Sequence, residues 1–319
     1  MRAAGPPARS AVEYPGGSEF AFSILDDADN GTIESVGPIY ELLDSLGLRT
    51  TKTVWPLDCP EGSADYFAAS TLADPDYRRF AQQLQARGFE VTWHCATMES
   101  STRDRTVRAL EAFKDSFGHY PTLHCNHGQN RENIYWGQNR YRNPLARLAH
   151  RLAPSRTTPP EFSGEVEGSP YFWGDLCRRH FRFVRGLTWY HVNTLARDPA
   201  LVYRLSWTPY VDCWFSTSDA ADVREFNRLL TPASVDRLRA ERGVCIISTH
   251  LGKRFVRNGR VDPQVESTLR YLATLPGWFA PVSEILERFR AAARRLERPY
   301  RVHAWQELRH VVDRARGIR

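Results

Sequence analysis

Phe22-Ser23-Ile24-Leu25-Asp26-Asp27-Ala28-Asp29-Asn30-Gly31-Thr32 decides how the rest of the chain is read. An apolar run ends in two adjacent carboxylates and passes into a Gly/Asn-rich turn. A short apolar run bounded by turn residues reads as a buried strand. The acids then fall at its carboxyl end, where α/β barrels and open α/β sheets carry their chemistry. Neighbouring buried carboxylates repel each other and lose hydration unless a cation or a shared proton resolves the conflict. A helix cap followed by an Asx turn accounts for the same residues, and the acids alone leave the two readings level.

Outward from that stretch the pattern alternates. Val36, Ile39, Leu42, Leu43 and Leu46 recur at helical spacing and stop at Gly47, after which Arg49 to Trp55 is β-rich and ends at Pro56. Residues 57–75 read as a loop. Tyr77, Phe80 and Leu84 predict a helix closed by Gly88, and Phe89 to His94 a third strand. Val107, Leu110, Phe113 and Phe117 predict a helix ended by Gly118, and Pro121 to Gly128 a fourth strand. Strand and helix in alternation imply parallel β/α units whose polar strand ends share one rim. Residues 138–175 are irregular, with Pro154 to Pro170 read as a mobile loop or an insertion over the site, and the aromatics crowding 171–215 are mostly core. Val235 and Leu238 lead through Gly243 to the apolar strand Val244–Thr249 with His250 at its end; Gly277 to Val282 is the last strand. Ile285, Phe289, Ala292 and Leu296 predict a terminal amphipathic helix, and Trp305, Leu308 and Val312 a further turn or two.

The 319 residues, 42% hydrophobic and 25% charged, supply ample core for one large domain. Residues 1–17, rich in Pro, Gly and Ala, read as a disordered leader without the apolar stretch of a secretion signal. Six scattered cysteines without a C-x-x-C pair read as reduced thiols, which makes the cytoplasm the expected compartment. No apolar span is long enough for a transmembrane helix. The segment 286–319 reads as a basic helical appendage: from Glu287 to Arg319 ten arginines face four acids, an excess equal to the chain's net charge of +6. The body is therefore near neutral, which argues against nucleic acid as a partner. The appended arginines read as a solvated face, with weak membrane-surface contact as the second reading.

Asp26/Asp27, His94, His124/His127 and His250 each fall at a predicted strand end. Imidazole and carboxylate are ligands for zinc and other first-row divalents, and a catalytic site takes three protein ligands with one position open. No G-x-S-x-G, G-x-x-x-x-G-K-[ST], H-E-x-x-H or G-x-G-x-x-G is present.

These residues resemble the polysaccharide deacetylases of the NodB homology type, carbohydrate esterase family 4. Ile24-Leu25-Asp26-Asp27-Ala28 is similar to their T-F-D-D-G, Gly47 to Thr51 to G-V-K-A-T, Gly88 to His94 to G-H-E-I-G-N-H, and Ile246 to His250 to the closing I-L-L-H. The order and spacing agree across roughly 20–285. The resemblance implies a distorted (β/α)7 barrel, spanning 18–285 with the insertion at about 138–175. It also implies a metal-dependent hydrolase that removes N-acetyl groups from a sugar or polysaccharide precursor. By motif position Asp26 is the general base, Asp27 and His94 are metal ligands, and His250 is the general acid. The ion expected is zinc, with cobalt, manganese or nickel as alternatives.

Two departures shape the expectation. The family's second histidine is replaced by Met98, a poor ligand for a hard divalent, and the R-x-P-Y loop is missing. In its place stands His124-Cys125-Asn126-His127-Gly128-Gln129-Asn130, similar to a divergent branch tied to bacterial surface-polysaccharide synthesis. His127 is expected as the third ligand, with His124 the less favoured choice, and His124, Asn130, Trp136 and Asp175 are expected around the substrate. Two other functions compete: a catalytically inactive sugar- or partner-binding relative, and a glycoside hydrolase pairing Asp26 or Asp27 with Asp175 or Asp212.

Overall fold

The computed structural model describes residues 12–60, 63, 69–152 and 161–317. Its strands are β1 (Phe20–Asp26), β2 (Thr51–Val54), β3 (Glu90–Trp93), β4 (Leu123–His124), β5 (Phe183–Trp189), β6 (Val202–Tyr203), β7 (Cys213–Asp219), β8 (Val244–Thr249), β9 (Val256–Arg257), β10 (Arg260–Val261) and β11 (Gly277–Phe279). Helices α1 (Ile33–Ser45), α2 (Pro75–Ala86) and α3 (Arg103–Phe117) follow the first three strands. Then come α4 (Pro144–Leu152), α5 (Gly174–His180), α6 (Thr194–Arg197), α7 (Val223–Leu229), α8 (Pro232–Ala240) and α9 (Pro263–Ala273). The chain closes with α10 (Val282–Ala292) and α11 (Tyr300–Gly317).

Seven strands pair in parallel in the order β1-β2-β3-β4-β5-β7-β8, and β8 returns to β1, so the sheet closes. This is the expected (β/α)7 barrel. Its distortion has two sources. β11 pairs with Phe20–Phe22 of β1, leaving β2 only Leu25 and Asp26. β6 runs antiparallel on Trp214 and Phe215 of β7, so β8 meets β7 only at Ser218 and Asp219. Both seams are wedged apart at the amino ends and drawn together at the carboxyl ends, the rim where polar residues accumulate.

Strand side chains alternate between the two faces. Ala21, Leu25, Leu123, Phe183, Phe215, Val244 and Ile246 pack together inside the barrel. Phe22, Ile24, Val54, Trp93, Val184, Trp214 and Ile247 pack outward against the helices. The helices begin and end where the sequence signals them. Thr32 and Ser35 form a reciprocal cap for α1, and Gly118, at φ 81°, closes α3 in the left-handed region that favours glycine.

Of the segment 286–319, Leu286 and Phe289 continue α10 into the barrel's interior cluster. Val282, Ile285, Leu286 and Phe289 of α10 share the interior cluster and plug the barrel's amino end, each burial contributing about 1.5–3 kcal/mol. Tyr14 belongs to the same cluster and donates to Arg242 O at 2.7 Å, so the expected leader is anchored from at least that residue; residues 1–11 lie outside the described set. α11 packs on α4 and β5. Arg298 pairs with Asp198 at 2.5 Å, Arg314 with Asp219, and Glu307 accepts the backbone N–H of Arg142 and Asn143, both at 2.7 Å. Several of the arginines read as a solvated face are thus bound to the barrel wall, and nothing in these pairs supports membrane contact. Among the described residues no helix is long and apolar enough to cross a membrane. The irregular insertion contains α4 and the start of α5; residues 153–160 lie outside the described set.

Candidate metal centre

Three carboxyl-end loops deliver Asp29, His94 and His127 to one point. Asp29 Oδ1 lies 3.6 Å from His94 Nε2 and 3.5 Å from His127 Nε2, and the three ligand atoms are all within 4.8 Å of one another. Two ligands about 2.1 Å from a tetrahedral zinc ion sit about 3.4 Å apart, so these separations fit such an ion. Asp29 Oδ1 is buried without a hydrogen-bond partner among the described residues, an uncompensated oxygen that a cation would satisfy. Two imidazoles and one carboxylate suit zinc and its first-row neighbours, and Met98 is not needed. Met98 instead packs with Ala28, Trp55, Ala69 and Cys95 in an apolar cluster.

Local structure fixes each ligand. Asp29 rides on a tight turn whose Asn30 has φ 58°, and Gly252 of the loop after β8 packs directly on it. A Cβ on Gly252 would lie 2.3 Å from Asn30 O. His94 follows β3, tied by its backbone N–H to Val54 O at 3.0 Å. Burial pulls its pKa down to about 3 against the charge of Asp27, which keeps the ring neutral as a ligand must be. His127 sits in a loop built on asparagines. Its backbone N–H donates to Asn133 Oδ1 at 3.1 Å, and its Nδ1 faces Asn130 Oδ1 at 3.1 Å. Since Asn130 Nδ2 donates to Thr97 O and Glu99 O, its Oδ1 is the acceptor, Nδ1 carries the proton, and Nε2 keeps its lone pair.

Asp27 lies beside this triad and outside it. Its Oδ2 accepts from Arg185 Nη1 at 2.7 Å, while Oδ1 is buried without a hydrogen-bond partner, 4.0 Å from His94 Nδ1. Burial pushes its carboxyl pKa up, but Arg185, His94 and His250 more than reverse this, so the net shift is down and Asp27 is ionised. His250 closes the far side. Its Nδ1 donates to Ala221 O at 2.8 Å and its Nε2 lies 3.4 Å from Asp29 Oδ2, which Lys253 Nζ also approaches at 3.2 Å. Burial lowers the His250 pKa, and Asp29 and Asp27 overturn that, leaving it raised.

Other expected site residues point elsewhere. Asp26 is on the outer face of β1, because neighbours in a strand face opposite ways. Its Oδ2 accepts from Lys52 Nζ at 2.9 Å and Tyr40 Oη at 3.0 Å, and its Oδ1 from Leu251 N at 2.8 Å. With Lys52 fully buried beneath α1 and α2, this is a sealed ion pair, so the placement of Asp26 as general base is corrected. His124 also faces outward, accepting from Trp93 Nε1 at 3.1 Å and packed between Trp173 and Phe181; it is a core histidine and not a substrate contact. Asp175 is held bidentately by Arg103 at 2.6 and 2.7 Å, joining α5 to α3. Asp212 is shared by Arg178 and Arg204, so the carboxylate pairs expected of a glycosidase are tied up in ion pairs. Trp136 donates to Gly128 O at 3.0 Å and, like Asn130, shapes the His127 loop.

Asp29 and Arg185 were not expected. Asp29 was legible as the residue two on from Asp27, and a strand's period of two continued into the turn puts both on one side. Arg185 was legible as a lone charge inside the apolar run Phe183–Trp189.

No protein-family model matches the sequence, and no curated protein is significantly similar to it. Solved structures do resemble the fold. Puue allantoinase aligns at a TM-score of 0.51 and 12% identity, over 88% of this chain and 93% of that one. The chain has the NodB-type barrel fold. A polysaccharide deacetylase of Mycobacterium smegmatis, described as putative, aligns at a TM-score of 0.49 and 15% identity, over 92% and 98% of the two chains. A family 4 acetyl xylan esterase from Clostridium thermocellum in complex with a cobalt ion aligns at 0.37 and 13%, over 84% and 90%. At such identities the likeness is one of NodB-type fold, and what this barrel does must come from its own rim.

Proposed function

We propose that this NodB-type barrel is a metal-dependent hydrolase that removes an N-acetyl group from a sugar or polysaccharide precursor in the cytoplasm. The observation that carries it is the meeting of Asp29 Oδ1, His94 Nε2 and His127 Nε2, with the carboxylate of Asp27 on one side and the imidazole of His250 on the other. Asp29, His94 and His127 would hold the ion, zinc first, with cobalt, manganese or nickel as alternatives. Bound there, a divalent ion supplies Lewis acidity toward the acetamide carbonyl. The six free cysteines support a reducing compartment.

The chain's own residues supply the proton transfers. Asp27 Oδ1 accepts a proton from the attacking water, a role that strand alternation moves from Asp26 to its neighbour. Arg185 holds Oδ2 and keeps Asp27 ionised at neutral pH. His250, oriented by Ala221 O through Nδ1, donates from Nε2 to the departing amine. Without that proton the leaving group would be an amide anion.

The test is acetate release from N-acetylated sugars. Activity abolished by a chelator and restored by zinc, with Asp27→Asn reducing turnover about 10²–10⁴-fold while retaining the ion, supports the assignment. Loss of the ion in Asp27→Asn would instead make Asp27 a positioning group for His94. No release from any N-acetyl sugar by the metal-loaded protein would remove the hydrolase reading.

A further inference from the structure

A second site lies on the outer side of the barrel wall. A cavity of about 500 Å³ is bounded by Gly186 and Leu187 of β5, Tyr203 of β6 and Trp214 of β7, and is closed by the segment that follows the His127 loop. Its volume falls in the range of small-molecule sites. Three guanidiniums line it, those of Arg140, Arg142 and Arg147. Among the described residues none of the three has a carboxylate within 4.0 Å. Arginines elsewhere in the chain are commonly paired, as Arg87 is with Glu41 and Asp44 and Arg103 with Asp175.

These three are held by other means. Arg140 lies 3.8 Å over the Trp136 ring, Arg142 lies 4.8 Å over Trp207, and Arg147 Nε donates to Tyr141 O at 2.7 Å. Stacking fixes a guanidinium plane while leaving its N–H edges for a ligand. The carboxylate in the wall, Glu165, does not balance them: its oxygens accept from Tyr135 N at 2.9 Å and Asn139 Nδ2 at 3.2 Å. Cations sharing a recess repel until a counter-anion enters. A single carboxylate would answer one of three charges. A diphosphate spreads several charges over many acceptor oxygens, the pattern that bidentate guanidiniums match.

We propose that this cavity is a binding site for a diphosphate group, distinct from the metal centre. Two carriers of the group fit the surroundings. Trp207 in the wall offers a ring for a nucleoside base. Arg147 stands on α4 between Leu145 and Leu148, exposed at 64% and 52%, and His303 in the wall neighbours Val302 at 51% and Trp305 at 62%, a surface suited to a prenyl chain.

The experiment is calorimetric titration of the full chain with inorganic pyrophosphate, uridine diphosphate and geranyl diphosphate. Saturable binding of pyrophosphate that weakens with salt is expected. Arg140→Gln and Arg147→Gln should each weaken it about tenfold or more, with an unchanged circular dichroism spectrum. Arg140→Lys, which keeps the charge and loses the fork, should weaken it too and guards against misfolding of the Gln variant. Tighter binding of uridine diphosphate identifies a nucleotide carrier, and tighter binding of geranyl diphosphate a lipid carrier. No saturable binding of any of the three, or affinity unchanged in a folded Arg140→Gln/Arg147→Gln double variant, overturns the proposal. Metal content and acetate release read the hydrolase separately, so either assignment can fail without the other.

Discussion

Replacing Lys52 by Met separates a structural Asp26 from a catalytic one. Lys52 and Asp26 are exposed at 0% and 1%, with Nζ and Oδ2 2.9 Å apart. Removing the ammonium leaves a buried carboxylate with, among the described residues, only Tyr40 Oη and Leu251 N as donors. Breaking a buried pair from one side costs about 3–5 kcal/mol. The Lys52→Met/Asp26→Asn double variant should recover most of this, because the amide oxygen still serves Leu251 N and no charge remains buried. Urea unfolding at neutral pH, followed by circular dichroism, reads both variants; metal content and acetate release are measured on the folded double variant. The expected result is a large loss in the single variant, recovery in the double, and an undiminished metal centre and turnover. A single variant within about 1 kcal/mol of wild type would refute the buried-pair reasoning. A well-folded double variant that binds metal but releases no acetate would return the base to Asp26.

Three further outcomes follow from the geometry. Asn130→Ala removes the acceptor that sets the His127 tautomer and should weaken zinc binding about 10–100-fold, read by competition with a chromogenic chelator. Gly252→Ala places a Cβ 2.3 Å from Asn30 O, so the Asp29 turn must shift; a loss of about 1–3 kcal/mol in urea and weaker metal binding are expected. In metal-free protein two groups contribute stability that falls as pH rises, opposing His94, whose lowered pKa contributes the other way between about 3 and 6.5. Burial raises the Glu132 carboxyl pKa to about 7, so the folded state holds a proton that the unfolded state gives up near 4.5. His250, raised by Asp29, contributes fully below about 6.5 and loses its contribution as pH passes its higher folded value. Glu132→Gln and His250→Gln should each flatten part of that slope in urea midpoints.

The barrel was legible wherever a strand and its following helix carried unmixed patterns. β1, β2 and β3 with their amphipathic helices read directly from apolar runs and glycine stops, and β8 from its apolar run alone, while the helix after it, α9, did not. β5 and β7 did not, because one carries Arg185 and both lie in an aromatic-dense stretch without clean alternation. The site was legible as a set of strand ends but not as a set of directions. Asp26 and His124 look equivalent to Asp27 and His127 in sequence, yet strand alternation turns the first two onto the helical face. His127, expected in place of the histidine lost at Met98, does meet His94. The carboxylate beside them is Asp29, which lies in the turn beyond β1, where strand alternation no longer announces a side chain's direction. In the basic tail Arg288, Arg294, Arg295 and Arg301 are exposed, as a solvated face expects, while the pairing of Arg298 and Arg314 was not legible because their acids, Asp198 and Asp219, are distant in sequence.

The most direct measurement is the number of tightly bound divalent ions per chain, by elemental analysis after dialysis, in wild type, Asp29→Ala and Asp27→Asn. One ion in wild type, none in Asp29→Ala and one in Asp27→Asn is the predicted result. An ion that survives Asp29→Ala and disappears in Asp27→Asn would contradict it.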